Sequence, residues 1–396
     1  MGKDKKYRMI QDTETLKSNA IGSKRIQHVG SDSSEGPIVV LFVGLHGNET
    51  AGVKAVDRVI GSLLKESHIV NGSLYAITGN MEALSQGVRY VDTDLNRLWE
   101  KFNTEQDFSL SNQQNESTPV EHLESLSIKS AIEDILSKHN QHHQEIIFAD
   151  LHTTSSESCA FILLNDTLAN RSVARKFPVP QILGIEESIH GTLLSYINNL
   201  GYRAIGFEAG AHTSRNSVIR SEAFIMLLLH YNDMIKLEET ELSEYETKIR
   251  AYSDVPDTYF DIRYHHIIDD SETFSMMPGF KNFDPVDIGT PLAYHDNKLV
   301  KAPETGRIFM PLYQKRGNDG FLIIKKVSPF WLTLSAWLRQ SFIHSILKFL
   351  PGVRKVDHQT FEINRDVAMF LVKKIFHLLG YRVTEKDSST FVCYRR

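Results

Sequence analysis

The chain has 396 residues, of which 41% are hydrophobic and 23% are charged, a composition that is ordinary for a globular protein and sufficient for two or three domains. The formal net charge is −5 and includes no long run of one sign, so nothing electrostatic predicts nucleic acid as a partner. A small molecule is the preferred class of ligand.

The cysteine content and the N-terminus both bear on the compartment. Only Cys159 and Cys393 occur, and they form no C-x-x-C pair or disulfide framework. The N-terminal segment MGKDKKYRMIQDTETLK has a basic start but lacks the apolar core of a secretory signal. We therefore expect a reducing, cytoplasmic location.

Strands and helices alternate after a polar lead-in. Residues 38–44 (IVVLFVG) form an apolar, β-branched run, as a strand buried on both faces requires. The alternation is typical of an α/β fold around a mostly parallel or mixed sheet. The other elements predicted here are a helix at 50–65, a strand at 73–78, a polar surface loop at 103–120, a helix at 120–139, strands at 145–151, 159–164 and 202–207, and helices at 192–200 and 215–238.

The composition changes near residue 250. From 259 to 326, short alternating runs separated by glycine and proline predict a small β domain. Beyond 328 there are two helical patterns, 330–349 and 364–379, and a final strand candidate, TFVCY. We predict four segments, namely an N-terminal lead-in at 1–34, a catalytic domain at 35–250, a β domain at 251–327 and a C-terminal extension of unknown role at 328–396.

The most apolar stretch of the extension runs from Phe330 to Leu350. Arg339, His344 and Lys348 interrupt it before it reaches the roughly 20 apolar residues that a membrane span needs. A helix packed on its own protein is the preferred interpretation, and an amphipathic helix at a membrane surface is the alternative. A membrane partner is therefore not expected.

Candidate metal ligands follow two predicted strands, at the sheet edge where an α/β fold gathers its functional groups. His46 and Glu49 come directly after the strand 38–44, and His152 closes the strand 145–151. Imidazole plus carboxylate suits Zn²⁺, and three protein ligands leave one position open, as in catalytic zinc sites. Period-two alternation places Asp150 on the same face as His152, where it could accept the outer N–H of that imidazole. Each motif alone also fits a solvated surface.

A further carboxylate, Glu208, ends the strand 202–207 at the same predicted edge. Because it is not needed as a ligand, it is a candidate general base for metal-assisted hydrolysis. An acid that caps a helix or lies in a loop is the alternative interpretation.

Four motifs carry a resemblance to a known family. The segments GLHGNE at 44–49, RYVDTDLNR at 89–97, ADLHTT at 149–154 and GFEAG at 206–210 resemble, in this order, the motifs of the succinylglutamate desuccinylase/aspartoacylase family, which belongs to the carboxypeptidase-type zinc hydrolases. The resemblance covers roughly residues 35–327. It implies one zinc ion per chain, held by His46, Glu49 and His152, with Glu208 as general base and acid.

The same resemblance implies roles for three residues of the second motif. Arg89 matches the arginine that stabilises the oxyanion, and Asn96 and Arg97 match the pair that binds a substrate carboxylate. A guanidinium fork suits both tasks because it stays charged and binds carboxylates bidentately. Asp92 and Asp94 are interpreted as structural partners of the arginines or as loop caps.

The resemblance implies a zinc-carboxypeptidase-like mixed sheet flanked by helices, with a small C-terminal β domain and an extra α/β tail. It also implies a zinc-dependent amidohydrolase, a deacylase that cleaves the amide bond of an N-acyl amino acid or a similar small carboxylate-bearing substrate. The alternatives are a carboxypeptidase-like peptidase and a catalytically inactive zinc-binding scaffold, although a scaffold needs neither Glu208 nor Arg89. The sequence specifies neither the acyl group and amino acid of the substrate nor the oligomeric state.

The sequence departs from the aspartoacylases at two places. Their additional substrate-binding arginine, about ten residues before the general base, is replaced here by the neighbourhood Tyr196-Ile197-Asn198-Asn199. A tyrosine of their β domain aligns loosely with Phe321. We do not expect N-acetylaspartate as substrate, and we expect the groups around Arg97, Asn198 and Phe321 to determine specificity.

Overall fold

The computed structural model describes residues 24–31, 35–65, 70–103, 118–139, 144–250, 255, 257–269, 272–314, 316–341, 347–357, 360–364, 371–387 and 389–395. Most of the predicted lead-in and the predicted surface loop, apart from its ends, lie outside these ranges. The chain divides into two compact units, Met1–Thr153 with His212–Ala251 and Thr154–Ala211 with Tyr252–Arg396. The domain boundaries predicted from composition stay predictions.

The helices and strands in chain order are β1 (Ile26–Gly30), β2 (Ile38–Val43), α1 (Ala51–Lys65), β3 (Ser73–Thr78), α2 (Met81–Gln86), α3 (Val120–His139), β4 (Ile146–Thr154), β5 (Phe161–Leu164), α4 (Leu168–Ala174), β6 (Gln181–Leu183), α5 (Leu193–Asn199), β7 (Arg203–Ala211), α6 (Arg215–Tyr231), α7 (Glu239–Arg250), β8 (Tyr259–Ile267), β9 (Phe274–Met276), β10 (Pro285–Val286), β11 (Pro291–His295), β12 (Lys298–Lys301), β13 (Gly306–Phe309), β14 (Asp319–Val327), α8 (Pro329–Gln340), β15 (Val353–Lys355), β16 (Thr360–Asn364), α9 (Leu371–Leu378), β17 (Tyr381–Asp387) and β18 (Thr390–Arg395). Among the described residues, no helix combines the length and the apolar character that crossing a membrane requires.

The first unit is built on a mixed sheet with the strand order β1-β3-β2-β4. β2 pairs in parallel with β3 and with β4, and β1 pairs antiparallel to β3. Every residue of β2, β3 and β4 is buried, because helices cover both faces of such parallel strands and leave no place for an alternating polar side. β1 lies in the predicted lead-in and was not predicted as a strand.

The long helix predicted at 215–238 is wrong beyond Tyr231. α6 ends at Tyr231, and Asp233 has a positive φ of 58°, a left-handed conformation that a right-handed helix does not contain. The apolar pattern continues because Met234, Ile235 and Leu237 are buried from a loop. A separate helix, α7, follows and was not predicted.

The second unit contains a mixed sheet with the order β7-β5-β6-β8-β14-β13-β10 and a three-stranded sheet with the order β12-β11-β9. Four phenylalanines of this unit form an aromatic core, with ring centroids 5.0 to 5.5 Å apart, and they are Phe161, Phe260, Phe283 and Phe309. The β-rich region predicted for residues 259–326 is therefore present in the structure.

The C-terminal extension adds a four-stranded antiparallel sheet, in the order β15-β16-β18-β17, together with α8 and α9. Its own buried core includes Phe361, Phe376 and Tyr381. The helix predicted at 330–349 is too long, since α8 ends where Ser341 adopts an extended conformation. Of the helix predicted at 364–379, α9 covers Leu371–Leu378, and residues 365–370 lie outside the described ranges. Of the four strands only β18 was predicted, as TFVCY.

A buried ion pair attaches the extension to the rest of the second unit. Arg339 of α8 is 7% exposed in its side chain, and its Nη2 and Nη1 atoms donate to the side chain and the carbonyl of Asp166, each at 2.6 Å. Arg171 shares the same carboxylate, with Nε 2.5 Å from Oδ1. Burial lowers the pKa of Arg339 and Asp166 opposes that shift, so the pair stabilises the extension only while both partners are present.

We expect Arg339→Ala to destabilise the protein by about 3 kcal/mol, because removing one partner of a buried pair leaves the other charge poorly compensated. The matched control is Arg354→Ala, whose side chain is 82% exposed and which should cost less than about 0.5 kcal/mol. Urea unfolding measures both. Equal losses for the two variants would contradict a stabilising role for the pair.

Candidate metal centre

Three buried side chains converge in the first unit. His46 and Glu49 lie in the turn between β2 and α1, and His152 lies on β4, the parallel neighbour of β2. One potential ligand atom from each residue lies within 4.8 Å of the others. The structure thus brings the three predicted ligands together.

Glu49 lies between the two histidines. Its Oε1 is 2.9 Å from His46 Nδ1, and its Oε2 is 3.1 Å from His152 Nδ1. The amide of Thr153 donates to Oε2 at 2.8 Å. Both imidazoles therefore present Nδ1 to the carboxylate, and the three groups form a compact N, N, O donor set.

The opposite nitrogen of each imidazole is held by an aspartate. His152 Nε2 is 2.7 Å from Asp150 Oδ2, and His46 Nε2 is 3.1 Å from Asp94 Oδ1. An outer carboxylate of this kind fixes the orientation of a metal-ligating histidine and raises its basicity. The Asp150 contact was predicted from alternation along the strand, whereas the Asp94 contact was not predicted.

A glycine holds the ligand turn against the following segment. A Cβ on Gly47 would lie 2.1 Å from the carbonyl carbon of Ala83, so only glycine permits this approach of the two backbones. The Gly47 amide also donates to the carbonyl of Arg89 at 3.1 Å. The backbone that carries His46 and Glu49 is thereby tied to the segment that carries Arg89.

Arg89 lies beside the donor set. Its Nη2 is 2.9 Å from Asp94 Oδ2, and its Nη1 is 3.6 Å from Glu49 Oε1. Asp94 also accepts a hydrogen bond from the Asn96 amide at 2.9 Å, and Arg97 Nη1 donates to the Asn96 carbonyl at 2.9 Å. Asp94 therefore connects a predicted ligand, His46, with the predicted oxyanion arginine and the turn that holds the two predicted carboxylate-binding residues.

A fully buried acid that sequence reasoning missed organises this segment. Glu121, in the first turn of α3, accepts hydrogen bonds from the amides of Val91, Asp92 and Thr93 at 2.6 to 3.1 Å. Burial alone would raise the pKa of Glu121, but the hydrogen bond from Asn80 and those backbone amides hold it below its ordinary value. The carboxylate stays charged and fixes the loop that bears the arginines.

The charges of the donor set reinforce one another. Burial opposes ionisation of Glu49, yet the neighbouring His46 and His152 hold its pKa well below the ordinary value. Burial likewise opposes protonation of His152, and Asp150 and Glu49 outweigh it and raise the pKa of His152 well above 6.5. The pKa of Asp94 is lowered against its burial by His46 and Arg89. In the absence of a metal ion, these side chains form a charged network in which His152 keeps its proton.

Glu208 lies in the second unit. It is on β7, where Phe161 of β5 is its register partner, and it is 3% exposed. A carboxylate on the interior of a strand is fixed more firmly than the loop or capping acid of the alternative interpretation. In the first unit His212 follows this strand, and its Nδ1 is 2.7 Å from Thr153 Oγ1, a contact that no local sequence pattern predicts.

The expectation that the groups around Phe321 determine specificity stays a prediction. Phe321 is fully buried and stacks on His266, with ring centroids 5.0 Å apart, because its position on β14 faces the interior of the β domain. Asn198 is engaged by the protein itself, since its Oδ1 accepts from Asn170 at 2.7 Å and its Nδ2 donates to the Tyr202 carbonyl at 3.2 Å.

Comparisons with known proteins agree with these motifs. Residues 35–225 match the family model described as succinylglutamate desuccinylase/aspartoacylase catalytic domain. A succinylglutamate desuccinylase of Chromobacterium violaceum is 39% identical over 70 residues, 18% of this chain and 20% of that protein. Another, of Pseudomonas aeruginosa, is 31% identical over 94 residues, 24% of this chain and 28% of that protein. The matched segments thus span much less than two thirds of these relatives.

Solved structures show the same fold. The succinylglutamate desuccinylase of Vibrio parahaemolyticus has a TM-score of 0.54 and 17% identity, and the match covers 76% of this chain and 86% of that one. The product-bound ectoine utilization protein EutE (DoeB) of Ruegeria pomeroyi has a TM-score of 0.52 and 16% identity, covering 76% and 88%. The predicted α/β class, with mixed sheet, small β domain and extra tail, is confirmed.

The raised pKa of His152 predicts a pH-dependent effect of Asp150→Asn on the metal-free protein. A group whose pKa is raised on folding contributes stability that is fully present below its unfolded value of 6.5 and is lost as the pH rises through the folded value. The loss of unfolding free energy caused by Asp150→Asn should therefore be larger at about pH 6 than at about pH 9.

Urea unfolding of chelator-treated protein at the two pH values measures this difference. The matched control is Asp92→Asn, whose carboxylate accepts a hydrogen bond from the Val120 amide at 2.8 Å and whose effect should not vary over this range. An equal loss at both pH values for Asp150→Asn would show that Asp150 does not hold a proton on His152.

Proposed function

We propose that this protein is a zinc-dependent amidohydrolase of the succinylglutamate desuccinylase/aspartoacylase family, whose catalytic-domain model residues 35–225 match. Its substrate would be an N-acyl amino acid or a similar small amide that carries a carboxylate, and its location cytoplasmic. The observation that supports the proposal most directly is the group of His46, Glu49 and His152, with a carboxylate behind each imidazole.

The donor set fits zinc. Two imidazole nitrogens and one carboxylate oxygen are ligands that Zn²⁺ favours, and three protein ligands are typical of its catalytic sites. His46, Glu49 and His152 would hold one ion per chain. When bound, zinc supplies a Lewis acid that polarises the scissile carbonyl and lowers the pKa of water.

Glu208 would serve as general base and acid. As the water oxygen forms its bond to the carbonyl carbon, the Glu208 carboxylate takes the proton that the water loses. It then delivers this proton to the amide nitrogen as the C–N bond breaks, because an amine anion is too poor a leaving group at neutral pH. The burial of Glu208 supports this role, since a carboxylate shielded from bulk water exchanges its proton with a bound reactant and not with the solvent.

The two arginines would stabilise negative charge on the substrate. Arg89, 2.9 Å from Asp94 and 3.6 Å from Glu49, would donate to the carbonyl oxygen as charge develops there. Asn96 and Arg97 would hold the substrate carboxylate, for which a guanidinium offers a bidentate fork. The curated relatives are named succinylglutamate desuccinylases, and succinylglutamate is an N-acyl amino acid of this class.

We expect the purified protein to carry about one zinc ion per chain, and His46→Ala or His152→Ala to lose both the metal and the activity, because three ligands leave no redundancy. Inductively coupled plasma mass spectrometry after dialysis measures the metal. His190→Ala is the control, since His190 is exposed and contacts Arg382. Full zinc in the double variant His46→Ala/His152→Ala would disprove the ligand assignment.

We expect Glu208→Gln to keep its zinc and to lower kcat for amides by about 10²–10⁴-fold or more, because the carboxamide preserves shape but accepts no proton. A matched ester should suffer less, since its leaving group needs less help from an acid. Zinc content and kcat on the amide–ester pair are measured together. Near-normal amide turnover with full zinc would show that Glu208 is a structural acid.

A further inference from the structure

The extension presents large aromatic side chains to solvent on α8. Phe330, Trp331 and Trp337 are 65%, 50% and 63% exposed, and Phe349, just beyond the helix, is 74% exposed. Tryptophan and phenylalanine are usually well buried in globular proteins, and a group of exposed ones marks an interaction surface. We call Phe330, Trp331 and Trp337 the aromatic face of α8.

The opposite side of α8 is firmly packed, so the aromatic face is not the result of a loosely attached helix. Ser335 and Arg339 are buried, Ser335 donates to the Leu378 carbonyl at 2.7 Å, and Leu338 packs on the core of the extension. Phe330 and Trp337 are seven residues apart and therefore lie on one side of the helix, whereas Trp331, seven residues before Leu338, lies on the flank next to the packed side. The helix is thus amphipathic in an unusual sense, with one side fixed to the protein and an apolar side turned outward.

The charge of the surrounding sequence differs sharply from that of the chain. Residues 320–356 contain no Asp or Glu, although the chain as a whole has 49 acidic residues and a net charge of −5. Two of the basic residues in this segment are neutralised, Arg339 by Asp166 and Lys325 by Glu304. The others are exposed, and they are Lys326, Lys348, Arg354 and Lys355. Of these, Arg354 lies 3.9 Å from Glu362.

We propose that the extension docks this protein onto an anionic membrane surface, with the aromatic face of α8 inserted at the headgroup level. Tryptophan and phenylalanine favour that level of a bilayer, and lysine and arginine next to an apolar face are attracted by anionic lipids. The helix lies on the surface, since no described helix is long and apolar enough to cross. The exposed cations before and after α8 supply the charge complementarity that selects an anionic surface over a neutral one.

The charges disfavour the other possible occupants. A symmetric dimer through this face would bring the same cations of two copies together. Single-stranded nucleic acid binds where cations track its backbone between stacking aromatics, whereas the exposed positions of α8 after Pro329 are uncharged, and they are Phe330, Trp331, Thr333, Trp337 and Gln340.

Vesicle co-sedimentation of the full-length protein tests the proposal. The probes are vesicles of phosphatidylcholine alone and vesicles with roughly a third phosphatidylglycerol. We expect binding to the anionic vesicles, little binding to the neutral ones, and weakening as salt rises. Trp331→Ser/Trp337→Ser should weaken binding about tenfold or more, because two interfacial anchors are lost. The matched control is Tyr294→Ser, which removes an aromatic that is 49% exposed on β11.

A second variant keeps the test valid if the tryptophan variant folds poorly. Lys348→Glu/Lys355→Glu changes only exposed positions and should abolish the preference for anionic vesicles. Wild-type protein that stays in the supernatant with both kinds of vesicle overturns the proposal, as does unchanged binding by both double variants. A dimer in light scattering that Trp337→Ser dissociates, or binding to a fluorescent single-stranded oligonucleotide in place of vesicles, also overturns it.

Discussion

The carboxylate of Glu49 is almost completely buried. The first unit must therefore supply partners that compensate its charge. Burying such a charge costs several kcal/mol unless partners compensate for it. Here His46 and His152 face its two oxygens, the Thr153 amide donates to one of them, and Arg89 lies 3.6 Å away. Because these partners come from different strand ends and loops, satisfying this single charge fixes the turn after β2 against β4.

Successive layers of alternating charge extend outward from that carboxylate. The two histidines are each backed by an aspartate, and one of these, Asp94, is in turn paired with Arg89. Farther out, Glu121 accepts hydrogen bonds from three backbone amides of the same loop. Such a network keeps the polar groups rigid and oriented, which is what a metal site with an open position and a charge-stabilising arginine requires.

Local sequence patterns account for part of this arrangement. The strands β2 and β3 and the helices α1 and α3 follow from runs and periods within single segments, and the positions of His46, Glu49 and His152 follow from strand ends. Asp150 follows from alternation by two. The contacts of Asp94 with His46 and of Glu121 with the loop 91–93 join residues that are 28 to 48 positions apart, and no local pattern encodes them.

The predicted elements that differ from the structure also reflect contacts that a local sequence pattern does not encode. Apolar spacing continues from α6 into the loop that holds Met234 and Ile235. Such spacing indicates that the residues are buried, and it does not by itself indicate a helix. In the extension, β16 pairs with β18 across the segment that contains α9, so the sheet depends on a tertiary pairing that single-segment propensities do not describe.

The central claim is that this site uses a metal to cleave an amide next to a carboxylate. It is tested most directly by measuring turnover of an N-acyl amino acid and of its carboxamide, before chelation, after chelation and after zinc is returned. The account predicts that chelation abolishes turnover, that zinc restores it, and that the carboxamide is cleaved at least about tenfold less efficiently in kcat/KM. Equal cleavage of the two substrates, or full activity in the metal-free protein, would contradict it.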